Sequence, residues 1–180
     1  MPPSPLSAPR FWKVLLTLGL LSVAALLLTR RTSPKALVAG AVLEAPARRR
    51  RYAELRRGLN ETGLRLEKRL AGADDTEANR EVVRHIIGIE RWGQARLEEL
   101  LGADPVLGGH RPYRPADDLG LAQLRGLAAL TRAQTGDLAR RLEAQAPVGR
   151  AKHDGLGPLS ARAWLRYLTL HAEIEGRRLK

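Results

Sequence analysis

Residues 79–97 read NREVVRHIIGIERWGQARL. Within them Val82, His85 or Ile86, Ile89, Gly93 and Leu97 recur at steps of three or four, and Leu100 continues the series. That spacing predicts a helix with one apolar face. Thr76 is placed to cap it, and Glu77 puts an acid in the first turn, where the helix dipole favours negative charge. GADPVLGGHRPYRPADD (102–118) ends the helix with Gly and Pro and reads as a long loop.

The same period extends outward in both directions. Upstream, a helix is expected to begin at Pro46, a residue tolerated in a first turn, and to carry Tyr52, Leu55, Leu59, Thr62, Leu66 and Leu70. AGADDT (71–76) breaks it. Downstream, a third helix carries Leu121, Leu124, Ala128, Thr131, Thr135, Leu138 and Leu142. APVGRAKHDGLGP (146–158) reads as the next loop. A fourth helix begins near Ser160 with Leu165, Leu168, His171 or Ala172, and Glu175. Four amphipathic helices of similar length, with no strand pattern, predict an all-α four-helix bundle. The loops are long enough for crossover connections.

Composition sets outer bounds. The 180 residues contain no cysteine, which excludes disulfides, thiolate metal ligands and a cysteine nucleophile. Aromatic residues make up only 4%, which disfavours sheets. The formal net charge is +12 and the pI about 11.2. Such a balance suits nucleic acid or an anionic membrane surface. Acidic residues are interleaved through the helices, so no nucleic-acid partner is expected.

The N-terminal segment favours the membrane. Residues 1–10 are a Pro- and Ser-rich tail. Residues 11–29 read FWKVLLTLGLLSVAALLLT, with no charge from Val14 to Thr29. At the helical rise they span about 28 Å, roughly the thickness of a hydrocarbon core, and Trp12 suits an interface anchor. A buried core helix would show a polar stripe, and this segment has none. A cleaved signal peptide would end in small residues, but Arg30 and Arg31 follow directly. A single uncleaved transmembrane helix is therefore expected, then a basic linker (30–45) and the bundle (46–180). SPKALVAGAVLEAPA (33–47) reads as linker or short helix. Arg30, Arg31, Lys35 and Arg48–Arg51 outweigh Arg10 and Lys13, which places the large domain on the cytoplasmic side. The arginine run also suits anionic lipid, at about 1 kcal/mol per residue near the surface; a solvated helix face is the plainer account of it.

Chemistry-bearing residues are few. His171 and Glu175 lie four apart on the fourth helix and so share a face. His85 lies at or beside the buried stripe of the second helix. Three N/O donors from facing helices, with an open position, describe a catalytic metal site. Against this stand a hydrogen-bonded core histidine and an ion pair of Glu175 with Arg178 or Arg91. His110 and His153 fall in loops and read as surface or loop-bracing residues. Ser160 reads as a cap, and Trp92 and Trp164 as packing residues. No phosphate-binding glycine loop and no zinc-finger spacing occur.

HDGLGPLSARAWLRYLTLHAEIEGRRL (153–179) resembles the last loop and helix of the DinB-like (DinB/YfiT) superfamily. Its members carry a His, then Phe-Gly-x-Leu-Thr or similar, then a Trp-Leu helix reaching a His-x-x-x-His pair. NREVVRHIIGIERWGQARL resembles their second helix, with a ligand histidine followed by an aromatic residue. The likeness covers roughly residues 45–180. It implies a DinB-like four-helix bundle with a divalent metal ion, zinc or nickel, and an activity of the thiol S-transferase or isomerase type. By position, His85 matches the second-helix ligand and His171 the first fourth-helix ligand. Glu175 stands where the family has its second fourth-helix histidine, a departure that changes site charge and metal preference. The partners so implied are the membrane, through the N-terminal helix, and a low-molecular-weight thiol; a homodimer is the oligomer considered. The alternative is a noncatalytic interaction domain with a degenerate metal site.

Overall fold

The computed structural model describes residues 35, 37, 39–105 and 107–180. The expected tail (1–10) and transmembrane helix (11–29) lie outside the described residues. Among the described residues, no helix is long and apolar enough to cross a membrane.

The chain is mostly helical. A π-helical turn (Ala39–Glu44) leads into the short helix α1 (Ala45–Arg48). Four long helices follow: α2 (Tyr52–Ala71), α3 (Glu77–Glu99), α4 (Leu121–Gln145) and α5 (Ala161–Gly176). A two-stranded antiparallel hairpin, β1 (Arg150–His153) and β2 (Gly157–Ser160), precedes α5.

Pairing fixes the directions. Glu90 meets Arg132 and Glu98 meets Arg141, so α3 and α4 run parallel. Tyr52 meets Arg162 and Arg69 meets Glu173, so α2 and α5 also run parallel. The two pairs are mutually antiparallel, as Arg56–Glu143 and Glu67–Arg125 contacts between α2 and α4 show. Because α3 and α4 are parallel, residues 100–120 must travel back along the whole of α3. They do so as a crossover pinned at Gly108, whose carbonyl accepts from the Trp92 indole at 3.2 Å, and at Asp117, whose carbonyl accepts from Arg84 at 3.0 Å. A single 3₁₀ turn (Arg111–Tyr113) lies midway.

Helix α3 is buried on more than its predicted stripe: Val83 and Ile87 share a core with Leu121 and Leu124 of α4, while the crossover covers Arg84, Gly88 and Trp92. Val83, Ile86, Ile87, Trp92 and Leu97 are all at most 2% exposed. Each such side chain stabilises the fold by about 1.5–3 kcal/mol relative to exposure. Close approach of α3 and α5 depends on Gly93. A Cβ there would meet Leu168 Cδ2 at 2.7 Å. At the same contact Trp92 and Trp164 pack edge to face at 5.2 Å.

Two expectations are corrected and one open alternative is decided. The first bundle helix starts at Tyr52, not at Pro46. Helix α1 stops at Arg48, and Arg51 is extended, its amide donating to the Glu54 carboxylate at 3.1 Å. That bond satisfies a donor the new helix would otherwise leave open. Of the two readings for 33–47, linker or short helix, residues 39–47 take the helical one: Ala39, Leu43 and Ala47, four apart, bury one face against the core. The loop 146–158 is not strand-free, since residues 150–160 pair as the hairpin. Its four-residue strands are too short to show a period, and Gly157 supplies the positive φ of 81° that the turn needs. Thr76 and Ser160 cap α3 and α5 through their side chains as expected.

Candidate metal centre

His85 sits in the third turn of α3 and His171 in the last third of α5. The antiparallel packing set by Gly93 and Leu168 brings their Nε2 atoms to 3.2 Å. Glu175, one turn beyond His171, completes a group whose three ligand atoms lie within 4.8 Å of one another. All three side chains are half-buried. Two nitrogens bound to one tetrahedral zinc at 2.0–2.1 Å would stand about 3.3 Å apart. The observed separation matches this, and it also matches a hydrogen bond between neutral imidazoles.

The electrostatics favour lone pairs over charge. Burial pushes His171 down to about 4, and the neighbouring His85 adds to the effect. Burial also lowers His85, against an opposing pull from Glu175. Both rings are thus neutral near pH 7, the state a metal requires of histidine. Glu175 Oε2 accepts from Arg178, as one of the sequence alternatives proposed. A carboxylate has two oxygens, and a ligating carboxylate is itself commonly hydrogen-bonded. Glu175 also lies in the last turn of α5, where the helix dipole favours positive charge; both Arg178 and a cation supply it. Two neutral imidazoles and one carboxylate form a donor set used by catalytic zinc, so the residues present fit a divalent ion.

The crossover adds groups that the spacing of the chain did not place here. His110 lies edge to face with His85 at 5.1 Å between ring centres, and burial followed by His85 lowers its pKa. Arg114 passes over Gly88, where a Cβ would meet its Cγ at 2.6 Å, and pairs with Glu81 one turn before His85. Tyr167, one turn before His171, packs 5.7 Å from it, and its phenol is pushed up to about 12 by burial and then by Glu175. A loop of this length joining parallel helices must cross one helix face. That was the available signal for His110, had the helix directions been known.

His153 is elsewhere. Its Nδ1 accepts from the Gly155 and Leu156 amides, so it braces the hairpin turn. Its ring packs against Trp92, Trp164 and Tyr167, and burial lowers its pKa to about 4. Trp92 and Trp164 are packing residues with their indole N–H groups bonded to carbonyls. Compared with models of known families, with curated proteins and with solved structures, the chain has no match.

Proposed function

We propose that the chain is a membrane-anchored DinB-like protein that binds one divalent ion, zinc or nickel, through His85, His171 and Glu175. Its activity would be of the thiol S-transferase or isomerase type. The observation that carries this reading is the 3.2 Å separation of two neutral histidine nitrogens with a carboxylate in reach. A bound ion would supply Lewis acidity that lowers the pKa of a coordinated thiol.

The chain's own groups would do the rest. His85 and His171 present lone pairs from two helices. Glu175 offsets part of the ion's charge while Arg178 holds its second oxygen. Tyr167 keeps its phenolic proton at neutral pH and so can only donate to, not take a proton from, a bound group. The crossover shields the His85 side from water. The absence of cysteine makes one test clean. In the nickel- or cobalt-loaded chain, a thiolate-to-metal charge-transfer band can arise only from added thiol. The expected result is one ion per chain and such a band on adding a low-molecular-weight thiol. A folded chain that takes up no zinc, nickel or cobalt would favour the noncatalytic interaction domain, in which Glu175 serves only as the partner of Arg178.

A further inference from the structure

At the end of the bundle where the chain enters, residues of the π-helical turn, α1, α2, the α4–β1 loop, β1 and α5 line a pocket of about 270 Å³. Arg48 of α1, Tyr52 of α2, Val148 of the α4–β1 loop, Arg150 of β1 and Arg162 of α5 line it together with Glu44. Three guanidinium groups thus face one carboxylate. That carboxylate is already engaged: Oε1 accepts from the Ser160 amide at 2.8 Å and from Arg150 at 3.1 Å, and Oε2 from the Ser160 hydroxyl at 3.0 Å. Among the described residues, neither Arg48 nor Arg162 pairs with a carboxylate. The Arg162 guanidinium lies over the Tyr52 ring at 4.9 Å, which holds its fork in place. The first residues of α5, a 16-residue helix, also line the pocket and add the partial positive charge of a helix N-terminus. Arg150 is held by Glu44 and the Pro158 carbonyl, and Arg162 reaches the Arg48 carbonyl at 3.5 Å, while the charges of Arg48 and Arg162 have no carboxylate to answer them; guanidinium groups match the oxygens of a phosphate better than a point charge would.

The surroundings select the source of that phosphate. Val148 stands fully exposed on the rim, and Leu37 and Val42 are exposed on the entering segment. Arg49, Arg50 and Arg51 follow as an exposed basic run. Only nine residues separate the uncharged stretch ending at Thr29 from Ala39, a reach of at most roughly 35 Å. We infer that the Arg48–Arg150–Arg162 pocket takes the phosphate of an anionic phospholipid headgroup and seats this end of the bundle on the bilayer, with Val148 at the interface. This inference rests on the membrane-anchor reading for its geometry, though not on the metal centre. Seated so, the histidine cluster lies in the half of the bundle away from the bilayer, since His171 is in the far part of α5.

The test uses the full chain in lipid nanodiscs. Because the chain has no cysteine, Val148→Cys gives a single position for an environment-sensitive fluorophore, and Ile174→Cys gives a control on the exposed far part of α5. The expected result is a blue shift at position 148 in discs containing phosphatidic acid, absent in phosphatidylcholine discs and absent at position 174. Arg48→Gln with Arg162→Gln should lower the ratio of docked to undocked chain roughly 30-fold, two basic groups at about 1 kcal/mol each. Arg48→Lys with Arg162→Lys should keep part of the shift, and circular dichroism shows that each variant is folded. An equal shift in neutral discs, a shift that survives the double Gln change, or a response to inorganic phosphate with none to lipid would each overturn the inference. Co-elution of chain and disc reads the anchor separately. A chain that fails to enter discs removes the anchor, and the pocket is then judged by sedimentation with phosphatidic acid vesicles.

Discussion

Two polar clusters flank α3 on opposite sides, one buried and one half-buried, and they are built on different principles. Between α3 and α4, Glu90 and Arg132 lie 2.9 Å apart, an ion pair whose alignment falls outside hydrogen-bond geometry. The Thr135 hydroxyl donates to Glu90 at 2.6 Å, and Gln94 donates to Thr135 and to the Thr131 carbonyl. Here each charge has its counter-charge inside the protein. Between α3 and α5, by contrast, two neutral imidazoles and a carboxylate converge, with Arg178 on Glu175 at one edge and Arg114, paired with Glu81, near His85 at the other. The first cluster balances its charge without a ligand, although the Arg132 nitrogens make no hydrogen bond there. The second is an excess of acceptors, and acceptors in excess are what a metal ion answers.

The comparison predicts opposite responses to substitution. Glu90→Leu should be the most damaging change, because it leaves Arg132 charged and unpaired in the core, a loss of about 3–5 kcal/mol seen as a lower denaturation midpoint. Replacing both partners by apolar residues should recover most of it. If the single change is as mild as the double, the pair is not the closed unit described.

Acid should act on the other flank. His171 and His153 titrate near 4 in the folded chain and near 6.5 when unfolded. Between those values the unfolded state binds more protons, so stability is full above about pH 6.5 and falls as pH drops toward 4. The loss is at most ~3 kcal/mol for each histidine, and His153→Gln should remove one share of it in pH-dependent denaturation.

Zinc at a hundredfold excess over its Kd should stabilise the wild-type chain by about 2.7 kcal/mol in thermal unfolding. His171→Ala should lose that gain along with stoichiometric metal, Glu175→Gln should weaken it, and His110→Ala and Glu90→Gln should keep one ion per chain. Gly93→Ala is smaller and more diagnostic. Its Cβ would meet Leu168, at a cost of about 1–3 kcal/mol in overpacking. By moving α5 off α3 it should also weaken zinc binding, although neither residue touches the histidines. Unchanged zinc affinity in a destabilised Gly93→Ala would separate the metal site from the helix contact.

Much of this was legible beforehand. The apolar positions named for the four helices are buried almost throughout, from Tyr52 to Leu70 on α2 and from Leu121 to Leu142 on α4. Both side-chain caps, Thr76 and Ser160, are local and were read from their neighbours. Pro46 belongs to a separate short helix that stops at Arg48, and the start of α2 is set instead by the Glu54 carboxylate reaching back to the Arg51 amide, a bond that local periodicity does not announce. The hairpin is not legible in the sequence, because four-residue strands carry no period and its pairing is closed by His153 bracing the turn.

The sequence by itself determined which residues face inward on each helix, where the helices are capped, and that His171 and Glu175 share a face, since all of these follow from a 3.6-residue repeat and bonds within one turn. Only the tertiary structure decided that α3 and α4 run parallel, that the crossover carries His110 to His85, and that Arg48, Arg150 and Arg162 meet around one pocket. Those contacts join residues far apart in the chain, and they are set by which helix faces pack and in what direction, a choice made by the whole core together rather than by any stretch of sequence within it.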